Sequence, residues 1–154
     1  MTTLKEGDKA PAIKTADQFG NTIKLSDFKG KRVVLFFYPE DDTPTCTEEA
    51  CNLRDNFSLL KKKGYVILGI SPQDEKSHKK FADKFHLPFS LLADPDRKIT
   101  EAYSCWGWKK LFGHEYMGVI RTTFIIDEKG RIERIIQKVH SKKHTEQILE
   151  GNLM

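Results

Sequence analysis

Two cysteines stand five residues apart in a segment rich in small polar side chains, Pro39-Glu-Asp-Asp-Thr43-Pro-Thr45-Cys46-Thr-Glu-Glu49-Ala-Cys51, and a third, Cys105, is isolated. Cysteine chemistry runs through the thiolate, the form that attacks electrophiles, exchanges with disulfides and binds metals. Cys46 falls in the first turn of a predicted helix that starts at Thr45. Unpaired backbone N–H groups and the positive end of the helix dipole favour an anion there. A free thiol titrates near pH ~8.5, and a thiolate at this position is stabilised relative to it. A cysteine that only fills core space would not need Thr43, Thr45 and Thr47 around it, or a proline-punctuated strand end before it. Cys46 is therefore the candidate nucleophile.

The spacing to Cys51 constrains any reaction between the two thiols. Five residues of helix turn about 140° round the axis and rise about 7.5 Å, which puts the two Cα atoms roughly 8.6 Å apart. That exceeds the ~7 Å a disulfide can span. If the pair reacts, the first turns of the helix must unwind. A Cys-x2-Cys pair would need no such rearrangement, so the spacing argues against a simple disulfide oxidoreductase. It argues for a nucleophile that is oxidised first and then rescued by a resolving thiol. A closed zinc or iron–sulfur site wants four clustered ligands, whereas His78, His86, His114, His140 and His144 are scattered. No metal is expected.

These residues need a scaffold, and the chain is long enough to build one. Its 154 residues, 38% apolar and 31% charged, match one domain, read here as 1–154. No linker, repeat or apolar stretch near ~20 residues interrupts it, which excludes a membrane-spanning helix. The start, Met1-Thr-Thr-Leu-Lys-Glu-Gly-Asp8, lacks the apolar core of a signal peptide. An odd cysteine count in such a chain fits a reducing, cytoplasmic setting rather than a disulfide framework. Lys and Arg number 26 against 22 Asp and Glu, a formal +4. The paired lysines 61–63, 79–80, 109–110 and 142–143 read as solvated faces interleaved with acids, so nucleic acid is not an expected partner.

Short alternating segments, 12–16 and 22–25, flank Asp17-Gln-Phe-Gly-Asn21 as an N-terminal hairpin. Val33-Val-Leu-Phe-Phe-Tyr38 is apolar on both faces, the mark of a central strand. A helical pattern over 45–63, closed by Gly64, leads to a second buried strand at 65–70. Strand, helix and strand make a right-handed parallel βαβ unit. Ser71-Pro-Gln-Asp74 reads as a capping box for a helix carrying Phe81, Ala82 and Phe85. Segments 121–126 and 131–136 form an antiparallel hairpin across Asp127-Glu-Lys-Gly130, and 145–149 a short terminal helix. The class is α/β, a central mixed sheet with helices on both faces. Sites on such sheets lie beyond the carboxyl ends of parallel strands, where Pro39 to Cys46 falls.

With those positions fixed, a resemblance becomes specific. Tyr38-Pro39 through Cys51 resembles the Pro-x3-Thr-x2-Cys motif of the peroxiredoxins, with the Cys-x4-Cys spacing of the peroxiredoxin Q, or bacterioferritin comigratory protein, subfamily. The likeness extends to Gly7-Asp-Lys-Ala-Pro11, Leu53-Arg-Asp55, Leu68-Gly-Ile-Ser71, Trp106-Gly107 and Arg121 before Phe124-Ile-Ile-Asp127. It implies a thioredoxin-like fold and a thiol peroxidase that reduces hydrogen peroxide and organic hydroperoxides without a cofactor. Carried over, it makes Cys46 the attacking thiolate and Cys51 the resolving thiol. Thr43 would bond peroxide and thiolate, Pro39 would shield them from water, and backbone N–H groups near Thr45 would hold the developing charge. Arg121 would polarise the peroxide, with Glu49 orienting it. A thioredoxin-like dithiol would reduce the disulfide, and the protein would work as a monomer or weak homodimer. Thr45 stands where many relatives have Gly. Cys105, beside the aromatic Trp106, Trp108 and Phe112, reads as a buried small hydrophobe, the alternative being a second disulfide or an intermolecular bond. The aromatics read as core packing, a site lining or an association surface.

Overall fold

Alternation along one strand decides the layers. In the computed structural model, which describes residues 3–150, β3 (Arg32–Phe37) sends Val34 and Phe36, followed by Tyr38, into one core, and Val33, Leu35 and Phe37 into the other. The ends of the expected 1–154 unit, residues 1–2 and 151–154, lie outside the described residues. The first core takes Ala50, Leu53, Leu60, Phe81 and Ile148 from the helices α1 (Pro44–Asp55), α2 (Phe57–Lys62), α3 (Glu75–Phe85) and α5 (His144–Glu150). The second is closed by the hairpin β1 (Lys14–Ala16) and β2 (Thr22–Lys24), a 3-10 turn at Leu25–Phe28, and the short helix α4 (Lys98–Ala102).

The five-stranded sheet runs in the order β5-β4-β3-β8-β9, with β4 at Tyr65–Ser71, β5 at Ser90–Ala93, β8 at Thr122–Ile126 and β9 at Ile132–Ile136. β3 pairs parallel with β4, and β4 with β5, whereas β8 lies antiparallel to β3 and to β9. This is the expected mixed sheet with its central parallel crossover. The antiparallel register sets Thr122 opposite Phe37. The first residue before β8, Arg121, is thereby delivered to the carboxyl end of β3, where the chain turns into α1.

The helix expected over 45–63 divides at Asn56, whose backbone leaves the helical region at φ -111° and whose side-chain amide donates to the Asn52 carbonyl at 2.9 Å. Asn side chains compete with the backbone for such acceptors. Ser71 does not cap α3 as the sequence suggested. It ends β4, paired with Ala93, and Asp74 is the cap, accepting from the Ser77 N–H at 2.9 Å. Strand β5, helix α4 and the hairpin of β6 (Trp106–Leu111) with β7 (His114–Val119) were not legible as elements. That hairpin corrects the core-packing reading of the aromatics, since Trp108 is 71% and Phe112 92% exposed. Trp106 is half-buried, with the Arg97 guanidinium 4.3 Å from its ring centre.

Gly69 lies in β4 with Phe36 opposite it on β3 and Leu91 on β5, and a Cβ there would come within 2.7 Å of the Phe36 ring and 2.8 Å of Leu91 Cδ2. The close approach of these side chains to the strand backbone is possible only without a side chain. Gly69→Ala should overpack the layer and lower unfolding stability by about 1–3 kcal/mol in urea titration; an unchanged midpoint would contradict the packing described.

Candidate active site

Helix α1 presents one buried stripe, Cys46, Glu49, Ala50 and Leu53. These positions recur at spacings of three and four, so Cys46 and Glu49 occupy neighbouring turns of one face. Thr43 is the extended N-cap residue and Pro44 opens the helix. The first backbone bond into the helix runs from the Thr47 N–H to the Thr43 carbonyl at 2.8 Å. The N–H groups of Thr45 and Cys46 thus belong to the turn that has no intrahelical acceptor.

Arg121 bridges the stripe. Its Nη2 donates to Cys46 Sγ at 3.1 Å and its Nη1 to Glu49 Oε1 at 2.7 Å. Glu49 is wholly buried, and Cys46 is 2% exposed. Burial works against charge on Arg121, but Glu49 and the Cys46 sulfur outweigh it and hold the guanidinium above its ordinary value. Burial pushes the Glu49 carboxyl up, opposed by His144 and then by Arg121. His144 of α5, also wholly buried, has its Nε2 3.4 Å from Glu49 Oε2. Lys109 of β6 adds a second cation: burial lowers it, Arg121 repels it and the Cys46 sulfur pulls it back.

The loop between β3 and α1 is held from below. Asp41 accepts from the Tyr38 hydroxyl at 2.5 Å and from the Ser77 hydroxyl at 2.7 Å, and lies 2.7 Å from His78 Nδ1. His78 Nε2 faces the Leu92 carbonyl at 2.9 Å, a group that only accepts, so Nε2 carries a proton. The Asp41 N–H donates to Gln73 at 2.6 Å. Burial, helped by Asp41, keeps the Tyr38 hydroxyl far from ionising.

The structure therefore gathers Cys46, Glu49 and Arg121 into direct contact. Thr43 is half-buried, and its hydroxyl donates to the Glu40 carbonyl at 2.9 Å rather than to Cys46. Thr45 is exposed and Pro39 half-buried. Pro39 lines an open hollow of about 450 Å³ with Pro72, Gln73, Arg97 and Trp106, whereas a hollow of about 530 Å³ lies at the opposite end of the sheet, around Arg32 and Tyr65. Cys51 is half-buried on the same helix, and burial raises its thiol. Cys105 is fully buried in the other core, donating to the Tyr103 carbonyl at 3.4 Å, and burial pushes its thiol up to about 12. Among the described residues no group of three or more His, Cys, Asp or Glu side chains is arranged to hold a metal ion.

Three contributors escaped the sequence reading. His144 and His78 were isolated histidines with no local signal, and Lys109 looked like half of a solvated lysine pair. The nearest hint was that His144 borders the predicted terminal helix.

The chain matches the AhpC/TSA family over residues 6–135. It is 46% identical to peroxiredoxin Bcp of Bacillus subtilis, across 96% of this chain and 94% of that one. It is 42% identical to peroxiredoxin Bcp of Escherichia coli K12, across 97% and 96%. Among solved structures it resembles peroxidoxin BcpB of Mycobacterium tuberculosis at 31% identity and a TM-score of 0.84, covering 96% of this chain and 95% of that one. A PrxQ mutant of Xylella fastidiosa superposes with a TM-score of 0.91 at 25% identity, covering 99% and 98%.

Native labelling checks the cysteine environments. Iodoacetamide applied to the folded, reduced protein at pH 8 should modify Cys46 and Cys51 while leaving Cys105 untouched until denaturant is added, as read by peptide mass mapping. Labelling of Cys105 at a rate comparable to Cys51 would contradict its burial.

Proposed function

The chain belongs to the AhpC/TSA family and is a peroxiredoxin, a thiol-dependent peroxidase; from that premise we propose that Cys46 attacks the hydroperoxide and Cys51 resolves the product. The observation that carries this reading is the guanidinium of Arg121, 3.1 Å from Cys46 Sγ and 2.7 Å from Glu49. A hydroperoxide needs a nucleophile at one oxygen and stabilisation of the negative charge that grows on the other. The Cys46 sulfur supplies the first. Arg121 and the helix-start N–H groups of Thr45 and Cys46 supply the second, donors already in place before reaction. The Thr43 hydroxyl, directed at Glu40, keeps its oxygen able to accept the peroxide proton. Pro39 has no N–H to offer and walls the thiolate from water. Glu49 orients Arg121, and Thr45 contributes through its backbone.

The steps balance without metal or organic cofactor. The thiolate takes the distal oxygen, the O–O bond breaks, and the leaving alkoxide or hydroxide collects a proton to become alcohol or water. Cys46 is left as a sulfenic acid. The Cys51 sulfur then displaces its hydroxyl, forming the disulfide and releasing water. A thioredoxin-type dithiol, the reductant class of the family, returns both thiols and becomes a disulfide itself. Both cysteines lie on α1, so the cycle needs no second chain and the protein works as a monomer or weak homodimer, in one unit. No described helix is long and apolar enough to cross a membrane. Three free thiols suit a reducing cytoplasm, and lysines dispersed among acids suit a partner that is not nucleic acid.

Helix α1 is continuous from Pro44 to Asp55, so the ~8.6 Å Cα separation of ideal helix stands between the thiols. Resolution therefore requires local unwinding. Burial in the helix favours the Cys51 thiol over the thiolate, and unwinding removes that bias. Because the folded value is raised, the helix is favoured below the ordinary thiol range and loses this contribution as pH rises through it. The disulfide step, followed after a peroxide pulse, should accelerate with pH between about 8 and 10.

Cys46→Ser should abolish peroxide consumption. Cys51→Ser should still be oxidised but accumulate a species one oxygen heavier, whereas one equivalent of peroxide should leave the parent two hydrogens lighter and linked Cys46 to Cys51. Arg121→Ala should lower kcat/KM ~10²–10³-fold, a typical loss for one charge-stabilising donor, and Arg121→Lys should recover only part because a single ammonium cannot make the forked contact. Turnover by Cys46→Ser, or a map linking Cys46 to Cys105, would sink the assignment.

A further inference from the structure

Glu49 uses one carboxyl oxygen on Arg121 and leaves the other, Oε2, buried without a hydrogen-bond partner. Buried polar atoms normally have partners, so such an exception calls for an explanation. Opposite it stands His144 Nε2 at 3.4 Å, and neither side chain has any exposure.

The surroundings of His144 fix which of its nitrogens can vary. The Gln147 amide nitrogen donates to the Lys138 carbonyl at 2.7 Å, and its oxygen accepts from the His140 N–H at 2.9 Å. That oxygen also lies 2.8 Å from His144 Nδ1, which must therefore carry a proton. Nε2 faces Glu49 Oε2 and the Thr123 hydroxyl, the latter at 2.8 Å. With no proton at Nε2 or Oε2, a carboxylate charge would face an imidazole lone pair inside the core. One proton between them, whether as imidazolium and carboxylate or as imidazole and carboxylic acid, removes the conflict and makes the pair neutral.

We infer that His144 is a positioning residue for the peroxidase chemistry: with Glu49 it retains one buried proton, so that the charge of Arg121 is not cancelled by Glu49 and acts on Cys46. The charged and titratable groups facing this row are Cys46 from α1, Arg121 before β8 and Lys109 from β6, while Thr123 and Gln147 complete the shell of His144. Thiolate, guanidinium and a neutral Glu49–His144 pair sum to zero, and half-buried Lys109 adds one positive charge beside them. Without the proton, a bare Glu49 carboxylate, three residues from Cys46 on the same face, would oppose the thiolate. This rests on Cys46 being the peroxidatic thiolate.

The test reads the sulfur directly, in the full chain with Cys51→Ser and Cys105→Ser so that only Cys46 reacts. At pH 6, His144→Gln, which keeps a donor and the packing but cannot become a cation, should alkylate with iodoacetamide ~10-fold more slowly than its parent, one pH unit's worth of thiolate. The two rates should converge at high pH. Adding Glu49→Gln should restore most of the lost rate, because no carboxylate then needs balancing; a merely structural His144 would give a double variant slower still. Should His144→Gln misfold by circular dichroism, His144→Leu serves with the same expectations. Equal rates at pH 6, or a double variant no faster than the single, would overturn the inference. Failure of the peroxidatic reading is a separate result, peroxide turnover surviving Cys46→Ser, and leaves the alkylation comparison intact.

Discussion

One guanidinium organises this protein. Arg121 reaches Cys46 with one nitrogen and Glu49 with the other, and each partner exists where it does because of a separate element. Cys46 and Glu49 share a helix face, and Arg121 arrives on an antiparallel strand whose register sets Thr122 beside Phe37. Removing one member of a buried charge pair typically costs ~3–5 kcal/mol, because the survivor is stranded without solvent. A lysine could carry the charge but not the fork that fixes two partners at once. Sheet register, helix phase and residue type must therefore agree for the contact to form.

The helix that carries both thiols also keeps them too far apart for a disulfide, and its anchors divide it accordingly. From Asn52 onward it is tied down: Asn52 Oδ1 accepts from the Thr145 N–H and hydroxyl, both at 2.8 Å, its amide donates to the Lys142 carbonyl, and Arg54 donates to the Phe85 carbonyl. Before Asn52 the buried polar ties are those of Arg121 to Cys46 and Glu49 and the approach of His144 to Glu49. In the proposed cycle, oxidation of Cys46 to a sulfenic acid would alter one of these, the Arg121 contact to its sulfur. The boundary between the loosened and anchored halves falls just after Cys51. In that cycle, chemistry at Cys46 would reduce the resistance to the unwinding that resolution by Cys51 requires, while Leu53 stays buried in the core.

What was legible in the sequence was what neighbouring residues determine. The apolar run at 33–38, the helical recurrence of Ala50, Leu53 and Leu60, and the Asp127–Gly130 turn each announce their element locally. The group of Cys46, Thr43 and Pro39 could be picked out for the same reason, since it is contiguous. Strand β5 is four residues long and is defined by pairing with β4, so no periodicity could reveal it. The β6–β7 hairpin carries its aromatics outward, against the assumption that tryptophan seeks the core. His144 lies 95 positions from Glu49, and His78 37 positions from Asp41. Such contacts are created by tertiary packing and leave no short-range trace. Ser71 misled because a capping motif and a strand end share residue types, and pairing with Ala93 decided between them.

The three cysteines end up distinguished by surroundings rather than by spacing alone. Cys46 shares its core with Ala50 and Leu53, and Cys105 shares the opposite one with Tyr103 and Phe124, so the sheet stands between them. Burial pushes the Cys105 thiol up to about 12, which disfavours the thiolate, the attacking species. Cys46 is buried as deeply but has Arg121 as partner, and Cys51 is half-buried beside Arg54. Burial depth therefore does not separate Cys46 from Cys105. The difference between them is the Arg121 guanidinium, which donates to the Cys46 sulfur at 3.1 Å.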